Sequence, residues 1–344
     1  MRIGMLTGGG DCPGLNAVIR AIVRKGETVF GDEFIGFYDS WDGVLEQRFI
    51  EMDIDSVRGL LPRGGTILGT RRGSPFDHPD GIERVERCFA ERRLDALIVI
   101  GGNGSLTVAS MIHDQTGLPI IGVPKTIDND VLGTDLTFGF HTAVQIATDA
   151  IDRLHTTAES HDRVMVVEVM GRDTGWIAMY AGMAGGATAI LIPEVPFDIA
   201  DISSTVSRRH NRGRYASIVV VAEGATPIPG TMDLPEYDVD QWGRPRYGGV
   251  SVAIAHEIEQ RTGYEARVVQ IGHVQRGGTP SAYDRILATR FGLGTVEAAH
   301  DGSFGTLIAL KCSQVTRVPL REVVGGTRHV DLDLFEQIRT AFFG

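Results

Sequence analysis

The stretch IGMLTGGGDCPGLNAVIRAIVRKG, residues 3–26, decides the fold. It opens with a short apolar run of the kind a strand covered on both faces requires. Three glycines and an aspartate follow. Then Leu15, Val18, Ile19, Ile22 and Val23 fall at the i, i+3, i+4, i+7, i+8 spacing of an amphipathic helix. Pro13 is expected to open that helix and Gly26 to close it. Similar apolar runs, most of them ending at or near glycine or proline, recur at residues 33–38, 96–100, 120–123, 164–169, 189–192, 217–222 and 267–271. Amphipathic helical stretches lie between them. Strand, turn and helix in alternation predict an α/β fold: Rossmann-like parallel sheets joined by right-handed crossovers.

The rest of the composition narrows the function. At about 150 residues per domain, 344 residues predict two domains. Glycine supplies 44 of them, nearly twice the usual share and without a Gly-X-Y period, clustered where backbone must turn or approach a ligand closely. Lys plus Arg number 33 against 44 Asp plus Glu, a net charge of −11. Such a surface does not attract polyanions broadly, so no nucleic acid and no anionic membrane are expected as partners. An anionic small molecule would need a locally basic pocket. Cys12, Cys88 and Cys312 are odd in number and widely spaced, which fits neither a disulfide framework nor a zinc site. Met1-Arg2-Ile3-Gly4 leads into a strand pattern with no signal-type apolar region, and a cytoplasmic location is expected. Residues 226–249 interrupt the alternation and read as a surface insertion or hairpin. Residues 331–344 read as a helix carrying Leu332, Leu334, Phe335 and Ile338.

Three clusters follow predicted strands, where open α/β sheets bind ligands. Gly8-Gly9-Gly10-Asp11 precedes a helix N-terminus; bare N–H groups there suit a phosphate, though a tight βα turn explains the same residues. The loop is neither a Walker A sequence nor GxGxxG. Gly101-Gly102-Asn103-Gly104-Ser105 would let a nucleotide or diphosphate lie against the backbone. Pro124-Lys125-Thr126-Ile127-Asp128-Asn129-Asp130 sets two carboxylates two residues apart, on one side of an extended chain. One could act as general base and the other hold Mg²⁺, or both could merely cap a turn. Arg163, Arg172, Arg267 and Arg276 stand in Gly-rich or strand-end contexts that suggest phosphate pockets.

In combination these residues resemble the bacterial 6-phosphofructokinase family along essentially the whole chain. The resemblance rests on six motifs in order: Gly-Gly-Asp-x-Pro-Gly-x-Asn at 9–16, Arg-Gly-Gly-Thr-x-Leu-Gly at 63–69, the 101–105 loop, Pro-x-Thr-Ile-Asp-Asn-Asp at 124–130, Met-Gly-Arg at 170–172, and Gly-His-x-Gln-Arg-Gly-Gly at 272–278. Thr-Ala-Glu-Ser-His at 157–161 and the 226–249 insertion are similar to the actinobacterial members.

The resemblance implies phosphoryl transfer from Mg-ATP to the 1-hydroxyl of fructose 6-phosphate, with Asp128 as general base, Thr126 contacting the transferred group and Arg172 stabilising its charge. It assigns Asp130 and Asn103 to Mg²⁺, and Gly10, Arg72, Gly102, Asn103, Gly104, Ser105 and Lys125 to the donor. Thr126, Asp128, Asp130, Met170, Gly171, Arg172, Glu223, His273 and Arg276 would hold the sugar phosphate. Arg163 and Arg267 would reach it from a neighbouring copy, which implies a homo-oligomer, typically a tetramer. By the same resemblance, residues 1–139 form the donor domain, completed by about 275–303, and 140–274 the sugar-phosphate domain, completed by about 304–344.

Departures from the family pattern bear on the donor. Asn103 replaces the aspartate of ATP-using members, and Lys125 stands where pyrophosphate-dependent members carry lysine and ATP-only ones glycine. Gly104 is the ATP-type residue, aspartate in pyrophosphate users. ATP is therefore the expected donor and pyrophosphate the alternative; a paralogue retuned to another sugar phosphate, or with weakened catalysis, is the remaining reading. In the family's effector site, His155 replaces an arginine and Thr188 a glutamate, while Arg20 and Arg24 remain.

Overall fold

The computed structural model describes residues 1–234, 239 and 248–342. In chain order the strands are β1 (Arg2–Thr7), β2 (Glu33–Phe37), β3 (Phe49–Met52), β4 (Ala96–Gly101), β5 (Ile120–Thr126), β6 (Phe138–Gly139), β7 (Val164–Val169), β8 (Ala189–Leu191), β9 (Ser217–Ala222), β10 (Ala266–Gln270), β11 (Thr306–Lys311) and β12 (Gln314–Pro319). Residues group into two units, Met1–Thr142 with Arg276–Thr327, and Ala143–Gln275 with Arg328–Gly344.

The first unit holds a sheet in the order β12-β11-β5-β4-β1-β2-β3, with β6 paired to β5. Its central strands run parallel, and only the β2–β3 and β11–β12 pairs are antiparallel. Every residue of β4 is buried, which is why its sequence, Ala-Leu-Ile-Val-Ile-Gly, does not alternate. Leu6, Phe37, Leu97, Val99, Leu106 and Ile120 share one apolar cluster. Burying each such side chain contributes on the order of 1.5–3 kcal/mol. Two helices, Leu15–Lys25 and Ala282–His300, pack against each other, and Gly292 lets them approach: a Cβ there would lie 2.7 Å from that of Ala21.

The second unit has the all-parallel order β10-β7-β9-β8. Both β7 and β9 are buried throughout. Val166, Val219, Leu191, Phe197, Ile254 and Ile258 belong to its core cluster.

Three expectations are corrected. Residues 304–327 complete the first unit, not the second: β11 pairs with β5 and β12 folds back on β11 as a hairpin, so Leu307 and Leu320 enter the first core. Only the segment from Arg328 onward returns to the second unit. Gly26 does not close the first helix. It stays right-handed (φ −62°), the backbone widens into a π-helical turn at Gly26–Phe30, and Gly31 (φ 69°) ends it. Gly26 serves packing instead, since a Cβ would overlap the Phe34 ring. Pro13 precedes the cap: the helix begins at Leu15 behind Gly14, whose φ of 112° favours glycine. Of the 226–249 segment, residues 235–238 and 240–247 lie outside the described residues. The last helix, Leu332–Phe342, buries Phe335 and Ile338 and leaves Leu332 and Leu334 largely exposed.

Candidate active site

In the first unit, β1, β4 and β5 are neighbours and run parallel, so their C-terminal loops emerge side by side. These are the three clusters singled out in the sequence. Gly8 N–H donates to Ile100 O at 2.9 Å, tying the first loop to the second. Gly10 packs directly on the Arg276 guanidinium, where a Cβ would overlap Nη1. A side chain at position 10 would displace that cation.

Lys125 ends this approach from below. Its side chain is 2% exposed and its Nζ donates to Gly10 O. Burial pushes its pKa below the ordinary lysine value, and nearby Arg276 adds to the effect; Cys12, Asp11 and Asp128 oppose it. Burial likewise raises the Cys12 thiol far above its usual range, which disfavours the thiolate.

Asn103 opens the helix Asn103–Thr116. Its Nδ2 donates to Asp130 Oδ2 at 2.9 Å and to Asp130 O at 3.3 Å, which joins the second and third clusters. Its Oδ1 is buried without a hydrogen-bond partner. An oxygen left over beside a carboxylate fits Mg²⁺, which is held through one or two carboxylates plus substrate phosphates rather than an all-protein cage. No group of three or more His, Cys, Asp or Glu poised for a metal occurs among the described residues. Gly104 is exposed, and a Cβ there would meet nothing within 4 Å.

The third cluster is shaped by its own hydrogen bonds. Asp128 N–H donates to Thr126 Oγ1 at 3.1 Å. Asn129 is left-handed (φ 53°), and its Oδ1 accepts from Thr137 N at 3.0 Å. That reversal sets the directions of Asp128 and Asp130 on either side of it. Arg72 is exposed beyond the 63–69 loop, and Ser105 lies against Gly8 and Gly101.

The second unit gathers another set. Met170, Gly171 and Arg172 follow β7, and Glu223 follows β9, the strand paired to it. Glu223 N–H donates to Val169 O at 2.9 Å and Gly224 N–H to Gly171 O at 3.1 Å, which zips the two loops together. Arg172 lies 4.0 Å from Asp173. His273 is exposed on the short turn Gly272–Arg276. Arg163, just before β7, and Arg267, on the edge strand β10, both pair with Glu265. The Arg163 hydrogen bond is the main reason that carboxyl sits below its usual pKa.

Two polar residues inside the quoted motifs have ties that reading by residue type missed. Gln275 is fully buried and accepts the Met170 N–H at 2.7 Å. Asn16, also fully buried, bonds the 63–69 loop. Glu168, outside any motif, is buried in β7 and accepts from Gly249 N, Ser251 N and Ser251 Oγ. It caps the helix Val250–Thr262. Position in a glycine-rich motif was the available signal for the first two; Glu168 left none.

Strand-end glycine loops and paired carboxylates in the first unit, and arginines at strand ends in the second, suit phosphoryl transfer, which needs positioning and charge neutralisation. Comparison with known proteins gives the family. The sequence profile for phosphofructokinase matches residues 2–299. The chain is 56% identical over 344 residues to a pyrophosphate–fructose 6-phosphate 1-phosphotransferase of Streptomyces coelicolor, covering all of both. It is 54% identical over 330 residues to ATP-dependent 6-phosphofructokinase 3 of the same organism, covering 96% of each. Among solved structures, phosphofructokinase from Saccharomyces cerevisiae superposes with a TM-score of 0.81 at 32% identity, over 99% of this chain and 46% of the yeast chain. The chain belongs to the phosphofructokinase family.

Proposed function

We propose that the protein phosphorylates the 1-hydroxyl of fructose 6-phosphate, giving fructose 1,6-bisphosphate, with Mg-ATP as donor. The observation that carries the donor choice is Gly104: a Cβ there would meet nothing within 4 Å, and glycine itself sets no side chain or charge against a nucleotide donor. Asp128 takes the proton from the sugar hydroxyl, and Thr126 contacts the phosphoryl group in transit. Arg172 offsets its charge. Met170, Gly171, Glu223 and His273 hold the sugar, and Arg276 its 6-phosphate. Gly10, Arg72, Gly102, Asn103, Gly104, Ser105 and Lys125 line the donor side. Asp130 and Asn103 Oδ1 would hold Mg²⁺, which when bound supplies charge neutralisation on the donor phosphates. Such transfer needs little beyond positioning and charge, which supports assigning the two residue sets to it.

Arg163 and Arg267 serve the 6-phosphate of a neighbouring copy in a homotetramer. Their present partner, Glu265, is only half-buried, and a phosphate competes well for arginines so held. The enzyme works in the cytoplasm; no helix among the described residues is long and apolar enough to cross a membrane.

Pyrophosphate is the second reading, favoured by one observation: Lys125 sets a buried cation at the Gly10 carbonyl, suited to a compact, highly charged donor. The sugar assignment is tested by incubating purified protein with fructose 6-phosphate and donor and locating the new phosphate by phosphorus NMR. A 1,6-bisphosphate is expected; transfer to other sugar phosphates only would overturn it.

A further inference from the structure

The loop at residues 63–70 has no regular structure, yet it is bound at several points along its length. Asn16, in the first turn of the helix Leu15–Lys25, supplies the deepest tie. Its Nδ2 donates to Arg63 O and Gly64 O, both at 3.1 Å, and its Oδ1 accepts from Ile67 N at 2.9 Å. Three of the four hydrogen-bonding positions of one fully buried amide are thus spent on a segment 47 to 51 residues away.

The pinned loop touches three other segments of the first unit. Thr66 Oγ1 meets Thr7 Oγ1 at 3.0 Å, and Thr7 Oγ1 donates to Gly69 O at 2.7 Å, at the end of β1. Thr70 Oγ1 donates to Gly9 O at 2.6 Å, inside the first glycine loop. Gly64 rests backbone against backbone on Gly278, two residues past Arg276, with no room for a Cβ. Arg71 then reaches Asp39 and Asp42, and Arg72 follows at the surface.

We propose that Asn16 is a positioning residue for the phosphoryl donor. By holding residues 63–67 it fixes the loop whose far end sets the Gly9 carbonyl and delivers Arg72. The inference rests on the reading of Arg72 as a donor contact. Asn16 itself touches no substrate. The geometry separates it from a general core residue, because among the described residues each hydrogen bond of its side chain goes to backbone of this one loop.

The substitution Asn16→Asp keeps shape and the Oδ1 acceptor but removes both donors, setting a carboxylate against two carbonyls. The expected result is a rise of about tenfold or more in the KM for the donor, with the KM for fructose 6-phosphate within about twofold of the parent. Asn16→Ser, which retains one donor, should recover part of that rise. A double-mutant cycle with Arg72→Ala then identifies the route. If Asn16 acts through Arg72, adding Asn16→Asp to Arg72→Ala raises donor KM little further.

Full additivity of the two changes would overturn the inference, as would equal losses toward both substrates in folded protein. If Arg72→Ala alone leaves donor KM unchanged, it is the donor reading of Arg72 that fails. Should Asn16→Asp not fold, the cycle is run with Asn16→Ser, whose smaller shift must likewise vanish in the Arg72→Ala background.

Discussion

The two residue sets hold their cations in opposite ways. In the first unit Lys125 is buried and hydrogen-bonded to a carbonyl, Arg276 is seated on Gly10, and Asn103 is bonded to Asp130. Folding dehydrates Lys125 and ties all three groups to fixed partners, so little reorganisation of them remains. In the second unit Arg163 and Arg267 lean on Glu265, and the Arg267 side chain is 53% exposed. Exposed ion pairs of this kind contribute little to stability and exchange readily. The first set is fixed in place by its own partners. The second holds its arginines on a carboxylate that another anion can replace.

The largest effect expected from breaking the first set is at its base. Asp128→Asn should lower kcat by at least about 10²-fold, as loss of a general base does, with fructose 6-phosphate binding retained in equilibrium titration. Near-parental turnover would remove Asp128 from the chemistry.

The contrast is sharpened by mixing. Arg267→Ala and Asp128→Asn proteins, each inactive, should regain part of the activity after subunit exchange, because one site can then draw an intact base and an intact arginine from different copies. No recovery in mixed oligomers verified by mass would place Arg163 and Arg267 outside any shared site.

A smaller effect is expected at Asn103. The amide can orient a metal-bound water but gives no charge to the cation. Half-maximal activity should therefore need unusually high Mg²⁺, and Asn103→Asp should lower that requirement several-fold in a titration at saturating donor. An unchanged requirement would separate Asn103 from the metal.

The smallest effect concerns effectors. His155 Nε2 is engaged with Gly185 O at 2.6 Å, and Thr188 Oγ1 accepts from Ile218 N at 3.2 Å. Both side chains are committed to backbone, where the family pattern has charged groups. ADP and phosphoenolpyruvate should shift the half-saturating fructose 6-phosphate concentration by less than about twofold. Strongly sigmoidal kinetics abolished by ADP would contradict this.

The strand-end glycine loops were legible in the sequence because their signal is local. An apolar run followed by glycines ends a buried parallel strand, and β1, β4 and β5 carry it plainly. The edge of the first sheet was not legible. Residues 314–319 read Gln-Val-Thr-Arg-Val-Pro, a half-exposed strand whose unit is set by what β11 pairs with, and pairing between residues 121 and 306 leaves no trace in either stretch. Gly26 misled for a related reason, since its lack of a side chain answers to Phe34 and not to a helix cap. Asn16 and Gln275 lay in view inside their motifs, but their partners are backbone groups brought up by tertiary folding.

The open space at Gly104 should outweigh the cation at Lys125 in choosing the donor. Turnover of fructose 6-phosphate measured side by side with ATP and with pyrophosphate, across a Mg²⁺ titration, tests it most directly. Higher kcat/KM with ATP is the predicted result. Robust turnover with pyrophosphate and none with ATP would contradict it.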